Sequence, residues 1–73
     1  MDKERIVATI ARYRQIYPDY QYIRVCLPKG VIIPVEVNSL NLINEESNEW
    51  IAKAAGGDNI GLPGDDITEF REF

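Results

Sequence analysis

The single cysteine, Cys26, is the only candidate in this sequence for an efficient nucleophile. A catalytic thiolate needs a base or a cation beside it, and the chain contains no histidine. Arg24, two residues before Cys26, is the nearest cation on the same face of a strand. Free cysteines are most often buried as small apolar side chains, so we predict a structural role for Cys26 and no enzymatic activity.

The absence of histidine also removes the commonest zinc ligand. Carboxylates in the second half of the chain could instead offer oxygen ligands to Ca²⁺ or Mg²⁺, namely Asp58, Asp65, Asp66 and Glu69. Their spacing lacks the alternation of an EF-hand loop, and a solvated acidic loop explains the same residues. The sequence therefore predicts no metal and no cofactor.

Acidic residues are concentrated in the second part of the chain. The net charge is −4, but residues 1–30 carry six basic and three acidic side chains, whereas residues 31–73 carry two basic and nine acidic ones. An acidic surface attracts basic partners and raises their association rate, although net charge also serves ordinary solubility. We therefore predict a surface that binds a basic protein, including one that normally binds nucleic acid. It consists of Glu45, Glu46, Glu49, Asp65 and Asp66.

This charge pattern favours a small acidic, non-enzymatic interaction domain that acts as an inhibitor, an immunity-type protein or an accessory subunit. The alternative is a nucleic-acid-binding module that uses the N-terminal segment. Three arginines there would meet phosphates and two tyrosines would stack on bases: Arg5, Arg12, Arg14, Tyr20 and Tyr22. The acidic half of the chain opposes that attraction, so we prefer a protein partner.

The N-terminal segment is predicted to be a helix that starts after Asp2, a residue that often caps helices. Apolar side chains recur on one helical face at Ile6, Ile10, Tyr13 and Tyr17. Pro18 lacks an N–H and disfavours helical backbone in the residue before it. The helix should therefore end at about residue 16.

Residues 20–37 are predicted to form a β-hairpin, because β-branched and aromatic residues flank a turn over residues 27–30. We expect a type I turn, with Pro28 presetting it and Gly30 at positive φ. In the resulting register Ile23, Val25, Leu27, Val31, Ile33 and Val35 share an apolar face.

The opposite face of the hairpin pairs Tyr22 with Glu36 and Arg24 with Pro34. We predict that Tyr20, Tyr22, Arg24 and Glu36 contact a partner. Pro34 cannot donate a ladder hydrogen bond outward, so the second strand should lie at a sheet edge. A third strand would then join the first strand, or the sheet stays two-stranded; the pattern does not decide between them.

A second helix is predicted after a connector, with Asn44 as its cap and Glu45 and Glu46 in its first turn. Its inner face would be Trp50, Ile51, Ala54 and Ala55, and Gly56-Gly57 would end it. Residues 58–64 are predicted to be a loop. Ile67, Phe70 and Phe73 recur at intervals of three, which favours a helical turn in the tail.

The fold class that follows is α+β in a single domain of residues 1–73. The predicted order is helix, β-hairpin, helix and short C-terminal tail, with a small antiparallel sheet of two or three strands and the helices on one face. A chain of this length buries only about 60% of its unfolded surface, so we expect modest stability. The opposite sheet face and a free strand edge are available for a two-fold dimer, and we expect a monomer or a weak homodimer. The single cysteine and the lack of a long apolar run predict a cytoplasmic protein without a membrane segment.

Overall fold

The computed structural model describes residues 1–73 and contains one helix and six strands. The strands form two three-stranded antiparallel sheets, in the orders β2-β1-β6 and β3-β4-β5. Three short 3₁₀ turns, named first to third in chain order, are Pro28–Gly30, Val37–Ser39 and Gly64–Asp66. The helix and strands are α1 (Lys3–Ile16), β1 (Tyr22–Cys26), β2 (Ile32–Glu36), β3 (Asn41–Asn44), β4 (Glu49–Lys53), β5 (Asn59–Pro63) and β6 (Glu69–Glu72).

The prediction of the N-terminal helix is confirmed. The Asp2 side chain accepts a hydrogen bond from the Arg5 N–H at 2.8 Å, which satisfies one of the free donors at the helix start. Helical geometry ends at Tyr17, the residue before Pro18. On the predicted apolar face, Ile6 is fully buried and Ile10 is almost fully buried.

The predicted hairpin register is also confirmed, because Tyr22 pairs with Glu36, Arg24 with Pro34 and Val25 with Ile33. The turn itself differs from the type I prediction. Gly30 has the expected positive φ of 75°, but Lys29 is left-handed as well, with a φ of 64°. A type I turn keeps φ negative at both central residues, so the predicted turn type is wrong.

A third strand does join the first one, because β6 pairs with β1 and places Phe70 beside Val25. Strand β2 is the edge of this sheet, as Pro34 predicted. On its outer side the Pro34 carbonyl accepts a hydrogen bond from the Ala55 N–H at 2.9 Å. A single bridge between Val35 and Ala54 therefore connects the first sheet to the second.

The predicted second helix is wrong, because its residues form β3, β4 and the turn between them. The buried positions Trp50 and Ala52 alternate along β4, which is strand periodicity. Asn44 does bind backbone N–H groups, as a helix cap would, but they belong to a tight turn. Its Oδ1 accepts from the Glu46 and Ser47 N–H groups at 3.0 and 3.1 Å and reverses the chain.

The predicted loop over residues 58–64 and the predicted helical turn in the tail are wrong as well. Residues Asn59–Pro63 form β5, which pairs with β4. In β6, Phe70 is buried while Arg71 is exposed, so a period of two replaces the predicted period of three.

The core lies between α1 and the inner faces of the two sheets. The architecture with helices on one sheet face is therefore wrong, since the second sheet covers the space that the second helix was expected to fill. The second sheet contributes Trp50, Ala52 and Leu62 to the core, and α1 contributes Ile6 and Ile10. Full burial of such a side chain stabilises the fold by about 1.5–3 kcal/mol. The other buried apolar residues of the core are Ile23, Val25, Val35, Val37, Leu40, Ile67 and Phe70.

Candidate functional site

The residues predicted to contact a partner fall into two groups at opposite ends of β1 and β6. Strand β6 starts beside Cys26, where Thr68 donates to the Cys26 carbonyl at 2.9 Å, and it runs back toward Tyr22. The third 3₁₀ turn directly precedes this start. One group, at the Cys26 end, is Glu45, Glu46, Glu49, Asp65 and Asp66; the other, at the Tyr22 end, is Tyr20, Tyr22, Arg24 and Glu36.

Asn48 joins the β3–β4 turn to the third 3₁₀ turn. It is buried, and its φ of 54° is one that asparagine adopts more readily than most residues. Its Nδ2 donates to the Met1 carbonyl at 2.9 Å and to Asp65 Oδ1 at 3.1 Å, and its Oδ1 accepts from Trp50 Nε1 at 2.9 Å. Its backbone carbonyl accepts the Gly64 N–H at 2.7 Å. One side chain therefore connects segments that are far apart in the sequence.

Gly64 is required for this contact because it lies directly against the Asn48 side chain. A Cβ atom at position 64 would be 2.4 Å from Asn48 Cγ, which is closer than any van der Waals contact permits. The absence of a side chain lets the third 3₁₀ turn approach the β3–β4 turn. The two acidic segments are held together as a result.

We call this group of carboxylates the acidic end, defined as Glu45, Glu46, Glu49, Asp65 and Asp66. Glu45 and Glu46 lie in the exposed β3–β4 turn, and Asp66 is exposed in the third 3₁₀ turn. Lys3 Nζ lies 3.9 Å from both Glu45 and Glu4. Glu46 and Asp66 have no ion-pair partner in the chain, so their charges face solvent. Asn48 thus places the third 3₁₀ turn, with Asp65 and Asp66, beside the β3–β4 turn that carries Glu45 and Glu46.

The second group lies on the outer face of the first sheet. The Tyr22 ring lies 5.6 Å from the ring of Phe73, and the Arg24 guanidinium lies over Phe73 at 5.5 Å. Glu36, the cross-strand partner of Tyr22, forms an ion pair with Lys53 at 3.8 Å. Phe73 was missed as a surface residue because the period of three placed it inward with Phe70. A strand period of two would have placed it outward.

Tyrosine rings continue from this face along the end of α1. The Tyr17 ring stacks on Tyr20 at 4.6 Å and lies 5.7 Å from Tyr13. The Tyr17 hydroxyl donates to Glu72, and this hydrogen bond is the main reason that the pKa of Tyr17 is raised. The pKa of Tyr13 is raised chiefly by burial and then by the charge of Glu72.

The arginines of α1 do not share one surface. Arg12 lines a groove between α1 and β6, next to Tyr13 and Phe70. Arg14 faces the other side of the helix, where its Nη2 donates to the Val37 carbonyl at 3.2 Å. Residues two apart on a helix point in nearly opposite directions, so Arg14 does not share a face with Arg12, whereas Arg5, seven residues before Arg12, does.

The remaining candidates for a reactive or metal-binding site are Cys26, which is enclosed, and the acidic side chains, which are separated. Cys26 is buried, and no three acidic or sulfur side chains gather as potential metal ligands. The only helix, of 14 residues, is too short and too polar to cross a bilayer. Comparison of the chain with protein-family models, with curated proteins and with solved structures gave no match.

Proposed function

We propose that this protein is a non-enzymatic interaction domain whose acidic end binds a basic surface of another protein. It would act by occupying that surface, as an inhibitor, an immunity-type protein or an accessory subunit does. The observation that carries the proposal is the Asn48 network, which holds two acidic segments 17 residues apart in the sequence against each other. Charges that are already in place lose little conformational entropy when a partner binds.

The exposed carboxylates support a cationic partner on electrostatic grounds. Glu46 and Asp66 are free of ion pairs and lie on neighbouring turns, so their fields add at the same part of the surface. Surface charges of this kind mainly raise the association rate and select the partner. A basic patch that matches their spacing would be attracted, whereas a nucleic acid would be repelled.

The lack of enzymatic activity and the cytoplasmic location belong to the same proposal. The buried thiol of Cys26 is out of reach of a substrate, and a single free cysteine suits a reducing compartment. We propose a monomer or a weak homodimer, because the outer side of β2 is already in contact with Ala54 and Ala55 of the same chain.

The proposal is tested by capture experiments with two variants of equal net charge. The test variant is Glu46→Gln/Asp66→Asn, which neutralises two carboxylates of the acidic end. The control variant is Asp58→Asn/Glu72→Gln, which removes the same charge far from that end. Immobilised wild-type protein and both variants are exposed to a host lysate, and the bound proteins are identified and quantified by mass spectrometry.

We expect a basic protein that is retained by the wild type and by the control variant but is lost from the test variant. Equal loss from both variants would mean that net charge alone is responsible, which contradicts a defined docking surface.

A fluorescent single-stranded oligothymidine is titrated in parallel at two salt concentrations. Tight binding that weakens with salt would favour the nucleic-acid alternative over a protein partner.

A further inference from the structure

A second pocket lies at the other end of β1, where three aromatic side chains and one carboxylate line an open cavity of about 400 Å³. The segment between α1 and β1 forms one wall and the end of β6 forms the other. The residues that line the cavity are Asp19, Tyr20, Gln21, Tyr22 and Phe73. None of the acidic-end residues contributes to it.

The aromatic walls are held by contacts within the chain. Tyr20 stacks on Tyr17 with an interplanar angle of 14°, so its ring has a defined orientation although the residue is 41% exposed. Phe73 is 59% exposed and lies against Tyr22 at an angle of 45°. The three rings lie side by side, and a contiguous exposed apolar patch is a feature that often marks a binding site.

The charges around the cavity point to a cationic ligand. Asp19 is part of the wall, and its carboxylate has no ion-pair partner in the chain. The faces of aromatic rings carry negative potential and attract cations. Phe73 already attracts one, because the Arg24 guanidinium lies over its ring at 5.5 Å.

We infer that this cavity binds a methylated ammonium group, such as the head of trimethyllysine or choline. A primary ammonium is strongly hydrated, and its only side-chain acceptors in the wall would be the Asp19 carboxylate, the Gln21 amide oxygen and the two tyrosine hydroxyls. A methylated ammonium loses less hydration and gains contact with the three rings. Asp19 repels an anion, and Arg24, which lies over Phe73, is the one nearby charge that opposes a cation.

This inference is independent of the proposed function, because the cavity and the acidic end are at opposite ends of β1. A free small cation can occupy the cavity without touching the Asn48 network. Failure of one proposal therefore leaves the other standing, and different variants test them.

The test is a titration of the isotope-labelled protein with choline chloride, followed by amide chemical shifts in proton–nitrogen correlation spectra. Neohexyl alcohol, the uncharged carbon analogue of choline, is titrated in the same way, and sodium chloride at equal ionic strength is the blank. We expect saturable shifts at Tyr20, Gln21, Tyr22 and Phe73 with choline, and binding at least tenfold weaker with the alcohol. Equal binding of the alcohol, or no saturable shift with choline, would overturn the inference.

Variants of the wall connect the signal to the cavity. Phe73→Leu keeps an apolar side chain but removes the ring, and we expect choline to bind about threefold to tenfold more weakly. Asp19→Asn should weaken binding in the same direction. Ile32→Ala, at a position that is 45% exposed on the same sheet face outside the cavity, is the control and should bind choline unchanged. If Phe73→Leu and Ile32→Ala behave alike, the rings do not form the site.

Substitution of Arg24 should strengthen choline binding, whereas the wall variants should weaken it. Arg24→Gln removes the cation that lies over Phe73, so choline should bind more tightly to this variant. Weaker binding would show that the cavity does not select positive charge.

Comparison of a trimethyllysine dipeptide with choline then identifies the source of the ligand. Tighter binding of the dipeptide indicates a modified protein, and tighter binding of choline indicates a free metabolite.

Discussion

Asn48 is the residue on which the candidate docking surface depends. Asparagine suits position 48 for two reasons: it tolerates a φ of 54°, and its amide is both a donor and an acceptor. The amide serves Trp50, Met1 and Asp65 at the same time. Aspartate could not donate to the latter two, and alanine would leave the buried Trp50 N–H without a partner.

Asn48→Ala should lower the free energy of unfolding by about 2–3 kcal/mol, because it leaves a buried donor unsatisfied and places alanine at positive φ. Urea unfolding followed by far-ultraviolet circular dichroism measures the change. Asn59→Ala, at an exposed position in β5, is the matched control and should stay within about 0.5 kcal/mol of wild type. Equal effects of the two substitutions would contradict a structural role for Asn48.

Gly64 and Gly61 form a second matched pair. Gly64→Ala should cost about 2–3 kcal/mol because the new Cβ would overlap Asn48, whereas Gly61→Ala meets no atom within 4 Å. The same urea measurement distinguishes them. If Gly64→Ala is as stable as Gly61→Ala, the third 3₁₀ turn does not lie directly against the Asn48 side chain.

The Tyr17–Glu72 hydrogen bond predicts a dependence of stability on pH. It raises the pKa of Tyr17 in the folded state above the ordinary 10.0, because the protonated phenol is the donor. Its contribution to stability is therefore complete below the unfolded pKa and is lost as pH rises through the folded pKa. Ultraviolet titration of the phenolates should show the pKa of Tyr17 fall toward 10.0 in Glu72→Gln. An unchanged titration curve would argue against the hydrogen bond.

At the scale of elements, α1 is held to the sheets by a narrow apolar face. Ile6 is fully buried, whereas Ile16 on the same helix is 50% exposed. Ile6→Val should therefore lower the free energy of unfolding by about 1 kcal/mol, and Ile16→Val should have an effect near zero. Urea unfolding of the two variants makes this comparison. Similar losses would mean that α1 packs through a different face.

The elements that the sequence predicted correctly carry their own local signals. Asp2 caps α1 and Pro18 ends it, while Pro28 and Gly30 reverse the chain between β1 and β2. The register then follows from strand alternation, which is why Tyr22, Arg24 and Glu36 were assigned correctly to one face.

The elements after residue 40 could not be predicted because their signals are ambiguous or distant. Asn44 binds following N–H groups in a helix cap and in a tight turn alike, and a short apolar run around Trp50 fits both periods. Strand β6 is defined by pairing with β1, more than forty residues earlier. The five acidic residues were identified by charge alone, and the contact of Asn48 with Asp65, which joins the two turns, was not predicted.

At the scale of the whole molecule, two chemically different ends lie on a body of 31 × 23 × 20 Å. One end carries the carboxylates of two neighbouring turns, and the other carries the aromatic cavity. A net charge of −4 therefore does not describe the surface that a partner meets. Because these ends are separate, the two proposed ligands would not compete for the same surface.

The acidic end is tested most directly by mapping where a flexible cation binds. The isotope-labelled protein is titrated with an oligolysine peptide, which has no shape of its own to select a site, and amide chemical shifts are followed at low and at high salt. We expect the largest shifts at residues 44–49 and 64–66, and we expect them to shrink as the salt concentration rises. Shifts spread over all twelve acidic residues, or concentrated at Asp58 and Glu72, would contradict it.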